Sequence, residues 1–216
     1  MYTKLLHELS TLPVTLVAVS KTHPPERILE LYQQGQRAFA ENRPQEMLDK
    51  HSTLPQDVEW HFIGHLQTNK VRLIAPFVHL IHSVDSDKLL QEIDKQAARA
   101  NRVLDCLLQF HIAQEETKFG FDEPAARTLL ASPTYQAMQH VRLCGVMGMA
   151  TFTDDVEQVR SEFRALRRIF DTLRQDFFPA AAHFKECSMG MSGDWRVAVE
   201  EGSTMVRIGS LIFGAR

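Results

Sequence analysis

Short apolar runs alternate along this chain with stretches in which apolar residues recur every three or four positions. The first run, VTLVAVS (14–20), is nearly continuous, as in a strand buried on both faces. Pro24-Pro25 and ERILELYQQG follow, with Ile28, Leu29, Leu31 and Tyr32 on one helical face and Gly35 as a stop. The unit then recurs. Further strands are predicted over 37–42, 60–65, 78–85, 102–113, 141–150, 180–190 and 204–214, and helices over 44–51, 68–76, 86–101, 122–132, 154–176 and 193–202. The longest helix carries Val156, Val159, Phe163, Leu166, Ile169 and Leu173 along one stripe. Strict alternation of strand and helix implies a parallel α/β sheet. Eight such units suggest a closed (β/α)8 TIM barrel, with an open doubly wound sheet as the alternative. No linker or shift of composition interrupts the rhythm, so one domain over 1–216 is expected.

Composition narrows the field of functions. With 216 residues, a net charge of −3, 24% charged and 44% hydrophobic residues, the chain has material for a full core and no electrostatic footprint for nucleic acid. The length is short for a barrel, for which about 250 residues is typical and about 200 the lower end. No run approaches the ~18 apolar residues of a membrane span, and MYTKLLHELS has no secretory pattern, so a cytoplasmic protein is expected. Cys106, Cys144 and Cys187 are far apart and lie in no C-x-x-C, which reads as buried thiols in a reducing compartment rather than a metal site.

Barrels carry their chemistry at the C-terminal ends of their strands. Those positions here are Lys21, Glu41-Asn42, Gly64-His65, Ser83-Asp85, His111, Met147-Gly148, Ser188-Met189-Gly190 and Arg207-Ile208-Gly209-Ser210. Lys21 directly follows VAVS; it is either a solvated strand-end lysine or a partly desolvated amine able to form a Schiff base with an aldehyde. SMGMS (188–192) and RIGS (207–210) follow the last two strands, where barrels build phosphate sites from glycine backbone and serine hydroxyls; the alternative is ordinary turn and cap residues. Arg207 sits in an apolar strand and therefore needs a partner, either a carboxylate such as Asp194 or Glu200 or a ligand heteroatom. An amine, a phosphate cradle and a buried arginine together suit pyridoxal phosphate, which offers an aldehyde, a phosphate and a ring nitrogen. His61 and His65 have the spacing of a metal pair, but a glycine turn intervenes; His61 reads as a hydrogen-bonded barrel-lining residue, and no metal is expected.

AVSKTHP (18–24), ENRPQE (41–46), WHFIGHLQTNK (60–70), the K-F-G of 116–120, SMGMSGD (188–194) and GSTMVRIGSLIFGAR (202–216) resemble the pyridoxal phosphate homeostasis (YggS/PROSC) family, in order and over nearly the whole chain. That family is similar to the N-terminal barrel of alanine racemases. The resemblance implies a single, monomeric barrel with pyridoxal 5'-phosphate held as a Schiff base on Lys21 and with Asn42 beside the cofactor. It further implies a phosphate against Ser188, Gly209 and Ser210, and Arg207 at the pyridine nitrogen. The implied role is to keep the free cofactor available but low, in amino-acid and keto-acid balance, with no established reaction and no catalytic residue; apo-enzymes that use the cofactor are the implied recipients. Ser210 replaces an expected threonine and keeps the hydroxyl, His111 stands where asparagine is frequent, and a short segment before the first strand puts the covering first helix in doubt.

Three functions are set against one another: a cofactor carrier, an amino-acid racemase and a Schiff-base aldolase. Racemisation needs an acid and a base on opposite faces of the substrate carbon. Related racemases supply the second from a further domain, and this chain ends directly after its eighth predicted strand. Tyr2, Tyr32 and Tyr135 lie away from the strand ends, which leaves His65 or His111 as substitutes. An arginine partner also leaves the pyridine ring largely neutral and a weaker electron sink, so restricted chemistry is expected.

Overall fold

The computed structural model describes residues 2–113 and 119–214. Lys118 of the quoted K-F-G, together with Ala215 and Arg216, lies outside these residues. The elements run α1 (Tyr2–Ser10), β1 (Thr15–Val19), α2 (Pro25–Gln33), β2 (Ala38–Glu41), α3 (Pro44–His51), β3 (Glu59–Phe62), a 3-10 turn (Thr68–Lys70) leading into α4 (Val71–Ile74), and β4 (Leu80–Val84). They continue with α5 (Asp87–Arg99), β5 (Leu104–Phe110), α6 (Glu123–Ala131), α7 (Pro133–Gln136), β6 (Val141–Gly148), α8 (Val156–Phe177), β7 (Glu186–Ser188), α9 (Trp195–Glu200), β8 (Met205–Ile208) and α10 (Ser210–Phe213). The strands form a closed barrel in sequence order, and β8 returns to β1 through Thr15↔Met205, Leu16↔Val206, Val17↔Arg207 and Ala18↔Ile208. The open doubly wound alternative is thereby excluded.

The two-residue period of each strand divides its side chains between barrel interior and helical shell. Val17, Val19, Ala38, Ala40, Leu80, Leu107, Cys144, Met147 and Met205 pack as the inner cluster. Their alternates, among them Ala18, Phe39, Trp60, Phe62, Ile81 and Val206, pack against the helices in the larger outer cluster. All three cysteines are buried and unpaired, as expected, and burial raises each thiol's pKa.

Several boundaries depart from expectation. The segment before β1, short as it is, forms the covering helix that was in doubt: α1 buries Tyr2, Leu5 and Leu9. Apolar content extended the seventh and eighth predicted strands too far. Residues 180–185 are turns that lead into Glu186–Ser188. Beyond Ile208 the chain coils into α10, with Gly209 as the residue between strand and helix. Val156, placed on the apolar stripe of α8, is 51% exposed.

Candidate functional site

Strand parity assembles the site at the C-terminal mouth of the barrel. Val19 pairs with Ala40, both pointing inward. Lys21 and Asn42 each stand two residues further on, just beyond the ends of these neighbouring strands, and both are half-buried. On the other side of β1, Arg207 pairs with Val17 and shares the inward parity of Met205. Gly209 follows two residues later.

The residues flanking Lys21 are clamped. The Ser20 hydroxyl donates to Glu41 Oε1 at 2.6 Å, and Lys50 Nζ donates to Glu41 Oε1 at 2.7 Å, Glu46 Oε1 at 2.8 Å and the Ser20 carbonyl at 3.0 Å. Glu46 Oε1 also accepts from the Thr22 backbone N–H at 2.6 Å. Glu41 is fully buried, and that burial pushes its pKa up to about 7 against the pull of Lys50. Asn42 is pinned differently. A Cβ on Gly64 would stand 2.2 Å from the Asn42 carbonyl oxygen, so β3 can end beside Asn42 only with glycine there.

The two glycine-serine segments are joined by hydrogen bonds. The Arg207 N–H donates to the Gly190 carbonyl at 2.9 Å, and the Gly209 N–H donates to Ser192 Oγ at 3.3 Å. Gly190 has φ +97°, a conformation that favours glycine, and its missing Cβ makes room for Ala198. Ser210 is exposed at the rim.

Arg207 is 3% exposed and forms no ion pair to Glu200, which instead pairs with Arg160 at 2.7 Å. Nη1 donates to Ser188 Oγ at 2.6 Å and Nη2 to the Gly148 carbonyl at 3.1 Å, which fixes the guanidinium plane. Burial lowers its pKa to about 10, with Asp194 holding it up, so the group stays charged at neutral pH. Ser188, completely buried, also lies 3.1 Å from His82 Nδ1, and His82 Nε2 lies 2.8 Å from His61 Nδ1. A chain of contacts therefore runs down the barrel axis from Arg207 to His61. A phosphate contact from Ser188 would use the hydroxyl's own proton. His61 is the hydrogen-bonded barrel-lining residue that was expected. His65 is separate from it, 2.8 Å from Asp85 and stacked on Phe119.

Lys21, Asn42, Arg207 and Gly209 thus lie on or just past neighbouring strands at the same end of the barrel, with Ser188 bonded to Arg207 and Ser210 exposed. Sequence reasoning missed Lys50, Glu46 and His82. Only His82 left a signal, since it shares the inward parity of Leu80.

A lysine and an arginine converging at the mouth of an eight-stranded parallel barrel define a class, and the family described as "Alanine racemase, N-terminal domain" matches residues 3–216. The chain belongs to the pyridoxal phosphate homeostasis proteins within that class. It is 45% identical over 202 residues to the pyridoxal phosphate homeostasis protein of Aquifex aeolicus, covering 93% of this chain and 86% of that one. The solved structure of PipY from Synechococcus elongatus with PLP bound superposes with a TM-score of 0.87 at 36% identity, over 98% of this chain and 99% of that one. Alanine racemase from Bartonella henselae shares the fold alone, with a TM-score of 0.73 at 17% identity over 99% of this chain and 57% of the racemase.

Proposed function

We propose that this chain binds pyridoxal 5'-phosphate at the C-terminal mouth of the barrel and keeps the cofactor in a protected, retrievable form. Lys21 is the residue we assign to the covalent Schiff base. The observation that carries the reading is the clamp on its two neighbours, Ser20 and Thr22, by Lys50, Glu41 and Glu46. A chain that only ends a strand has no need of two buried ionisable side chains, Glu41 and Lys50, and a half-buried Glu46 to fix the residues on either side of a lysine.

The residues present fit the group. Arg207 offers N–H donors of fixed orientation to a ring nitrogen, and its charge persists at neutral pH. Gly209, Ser210 and the 188–192 loop offer backbone N–H groups and hydroxyls to a phosphate, and Asn42 offers an amide beside Lys21. When bound, pyridoxal phosphate supplies an aldehyde for the amine and an electron-withdrawing ring. Arg207 donates a hydrogen bond to that ring without surrendering a proton, which moderates the withdrawal.

A carrier is favoured over a racemase because the tyrosines are occupied elsewhere. The Tyr2 hydroxyl donates to Gln36 and that of Tyr32 to Asp57, while burial pushes the Tyr135 pKa up to about 12. We take the protein to be monomeric, with apo-enzymes as recipients and a part in amino-acid and keto-acid balance.

The test is optical and isotopic. Protein incubated with pyridoxal phosphate is expected to gain a near-visible band, borohydride to bleach the band and leave the cofactor fixed on Lys21, and Lys21→Ala to lack both. Protein that stays colourless, or a label mapped to another lysine, would overturn the assignment. In deuterated water with L-amino acids the loaded protein is expected to exchange the α-proton slowly and form no D-isomer; rapid exchange with D-isomer would make it a racemase.

A further inference from the structure

The N-terminal face of the barrel, opposite the mouth, carries chemistry that cofactor binding does not use. Glu59 opens β3, His61 lies two residues along the same strand, and His79 immediately precedes β4. One ligand atom from each of these three side chains lies within 4.8 Å of those of the other two. His61 and His79 line a cavity of about 420 Å³, with Asp105, Arg142, His183 and Glu186 around it. Asp105 is already engaged in a two-pronged ion pair with Arg142 at 2.6 and 2.7 Å, and Glu186 accepts from Thr204 at 2.7 Å.

His61 supplies the second, independent observation. It is 2% exposed, its Nδ1 is taken by His82, and its Nε2 is buried with no hydrogen-bond partner. A buried imidazole nitrogen without a partner is costly, and native proteins seldom leave one. Glu59 and His79 are exposed, so both can reorient at little cost.

We propose that Glu59, His61 and His79 form a binding site for a divalent transition metal of the zinc type. Two imidazoles and a carboxylate are a ligand set suited to Zn²⁺ and Co²⁺, and it leaves a fourth position open to water from the cavity. Bonds of ~2.0–2.1 Å bring tetrahedral ligand atoms to ~3.4 Å from one another. The exposed Glu59 and His79 side chains close the remaining ångström or so by swinging toward His61, which stays fixed in the strand.

The proton arrangement agrees with this assignment. A metal on Nε2 requires the proton of His61 to reside on Nδ1, where it is donated to His82 Nε2 at 2.8 Å. His82 then carries its own proton on Nδ1, aimed at Ser188 Oγ at 3.1 Å, which also accepts from Arg207 at 2.6 Å. Metal-bound histidines ordinarily donate their second ring N–H in this way, which fixes ring orientation and tautomer. In the other tautomer the buried Nε2–H of His61 has no acceptor.

Cobalt titration tests the site, because Co²⁺ bound by nitrogen and oxygen ligands in low coordination absorbs visibly at wavelengths where free aqueous Co²⁺ is weak. Dialysed full-length protein, freed of unbound cofactor, is expected to develop this band to saturation at one equivalent and to lose it on addition of one equivalent of Zn²⁺. His79→Ala is expected to weaken Co²⁺ binding by more than the ~10–100-fold that loss of an outer partner costs, and Glu59→Gln to weaken it as well. Both residues are exposed, so neither variant threatens the fold, and His7→Ala on α1 should bind as the parent does. Absence of a saturable band, or a band unchanged in His79→Ala and Glu59→Gln, would overturn the proposal. These readouts do not involve Lys21, so they are independent of the cofactor assignment.

Discussion

Lys21 stands between two residues whose conformations are imposed on them. Ser20 is gripped through its hydroxyl and carbonyl, and Thr22 is held at φ 69°, a left-handed conformation that costs a β-branched residue about 1–2 kcal/mol. The charge cluster that enforces this geometry is itself vulnerable. Lys50→Ala would leave buried Glu41 without its cation and with only the Ser20 hydroxyl, for a loss of about 3–5 kcal/mol of stability in urea unfolding at a pH where Glu41 is ionised. Glu41 also imprints a pH dependence. Its folded pKa of about 7 lies above the unfolded carboxyl value of 4.5, so the folded state holds the extra proton between the two. The stability from this group is fully present below the unfolded value and is lost as pH rises through about 7. From pH 5 to pH 7 the loss is about 2 kcal/mol. Unfolding curves of the parent and Glu41→Gln should therefore diverge in pH slope by about that amount, and parallel slopes would contradict the assignment. At Gly64, an added methyl meets the Asn42 backbone with no flexible neighbour to yield. Gly64→Ala is expected to cost about 1–3 kcal/mol by overpacking and to weaken cofactor retention in equilibrium dialysis.

Among the elements, the short β7 and β8 are the barrel's thinnest seam. Their register pairing is Ser188↔Met205. Side chains reinforce it: Ser203 Oγ donates to the Met189 carbonyl at 2.8 Å or the Met205 carbonyl at 3.0 Å, and Thr204 Oγ1 accepts from the Cys187 N–H at 2.8 Å. This seam carries both Ser188 and Arg207, so its hydroxyls stabilise the site as well as the sheet. Ser203→Ala should cost about 1–3 kcal/mol, as expected when buried carbonyls lose their donor, and differential scanning calorimetry should register it as a lowered Tm. At the other end of the chain, α1 closes over the outer core through Leu5 and Leu9. Leu5→Ala should cost about 2–5 kcal/mol, measurable in the same scan; an unchanged Tm would mean that α1 does not cover the core.

At the scale of the molecule, a polar core joins the end of the barrel proposed for the cofactor to the end proposed for a metal. Ser188, His82 and His61 replace what would otherwise be apolar filling along the axis, and they link Arg207 at the mouth to the cavity at the opposite face. The inner apolar cluster, with Val17, Ala38, Leu80 and Met205, fills the rest of the barrel interior. No helix among the described residues is long and apolar enough to cross a membrane. The large exposed apolar side chains among them, Leu12, Leu29, Val103, Phe119, Phe152 and Val156, are scattered along the sequence, only Phe152 and Val156 lying within five residues of one another. Sedimentation is accordingly expected to give a single species of 24.7 kDa; a dimer would contradict the proposed monomer.

Local pattern alone determined the β-α rhythm, the number of strands and the residues at their ends, because strand parity and helical periodicity are written in neighbouring positions. Lys21 follows the parity of Val17 and Val19, and Arg207 that of Met205, so both could be assigned inward before any coordinates. Their resemblance-carrying motifs are local for the same reason. Local pattern did not reveal where β7 begins or where β8 stops, since an apolar residue in a turn or short helix against the barrel looks the same as one in a strand. Nor did it reveal the Lys50 clamp, the contact of His82 with Ser188 across 106 positions, or the meeting of Glu59, His61 and His79. Closure of the barrel decided these, because it fixes which distant strands become neighbours and leaves a buried charge or imidazole no solvent to turn to.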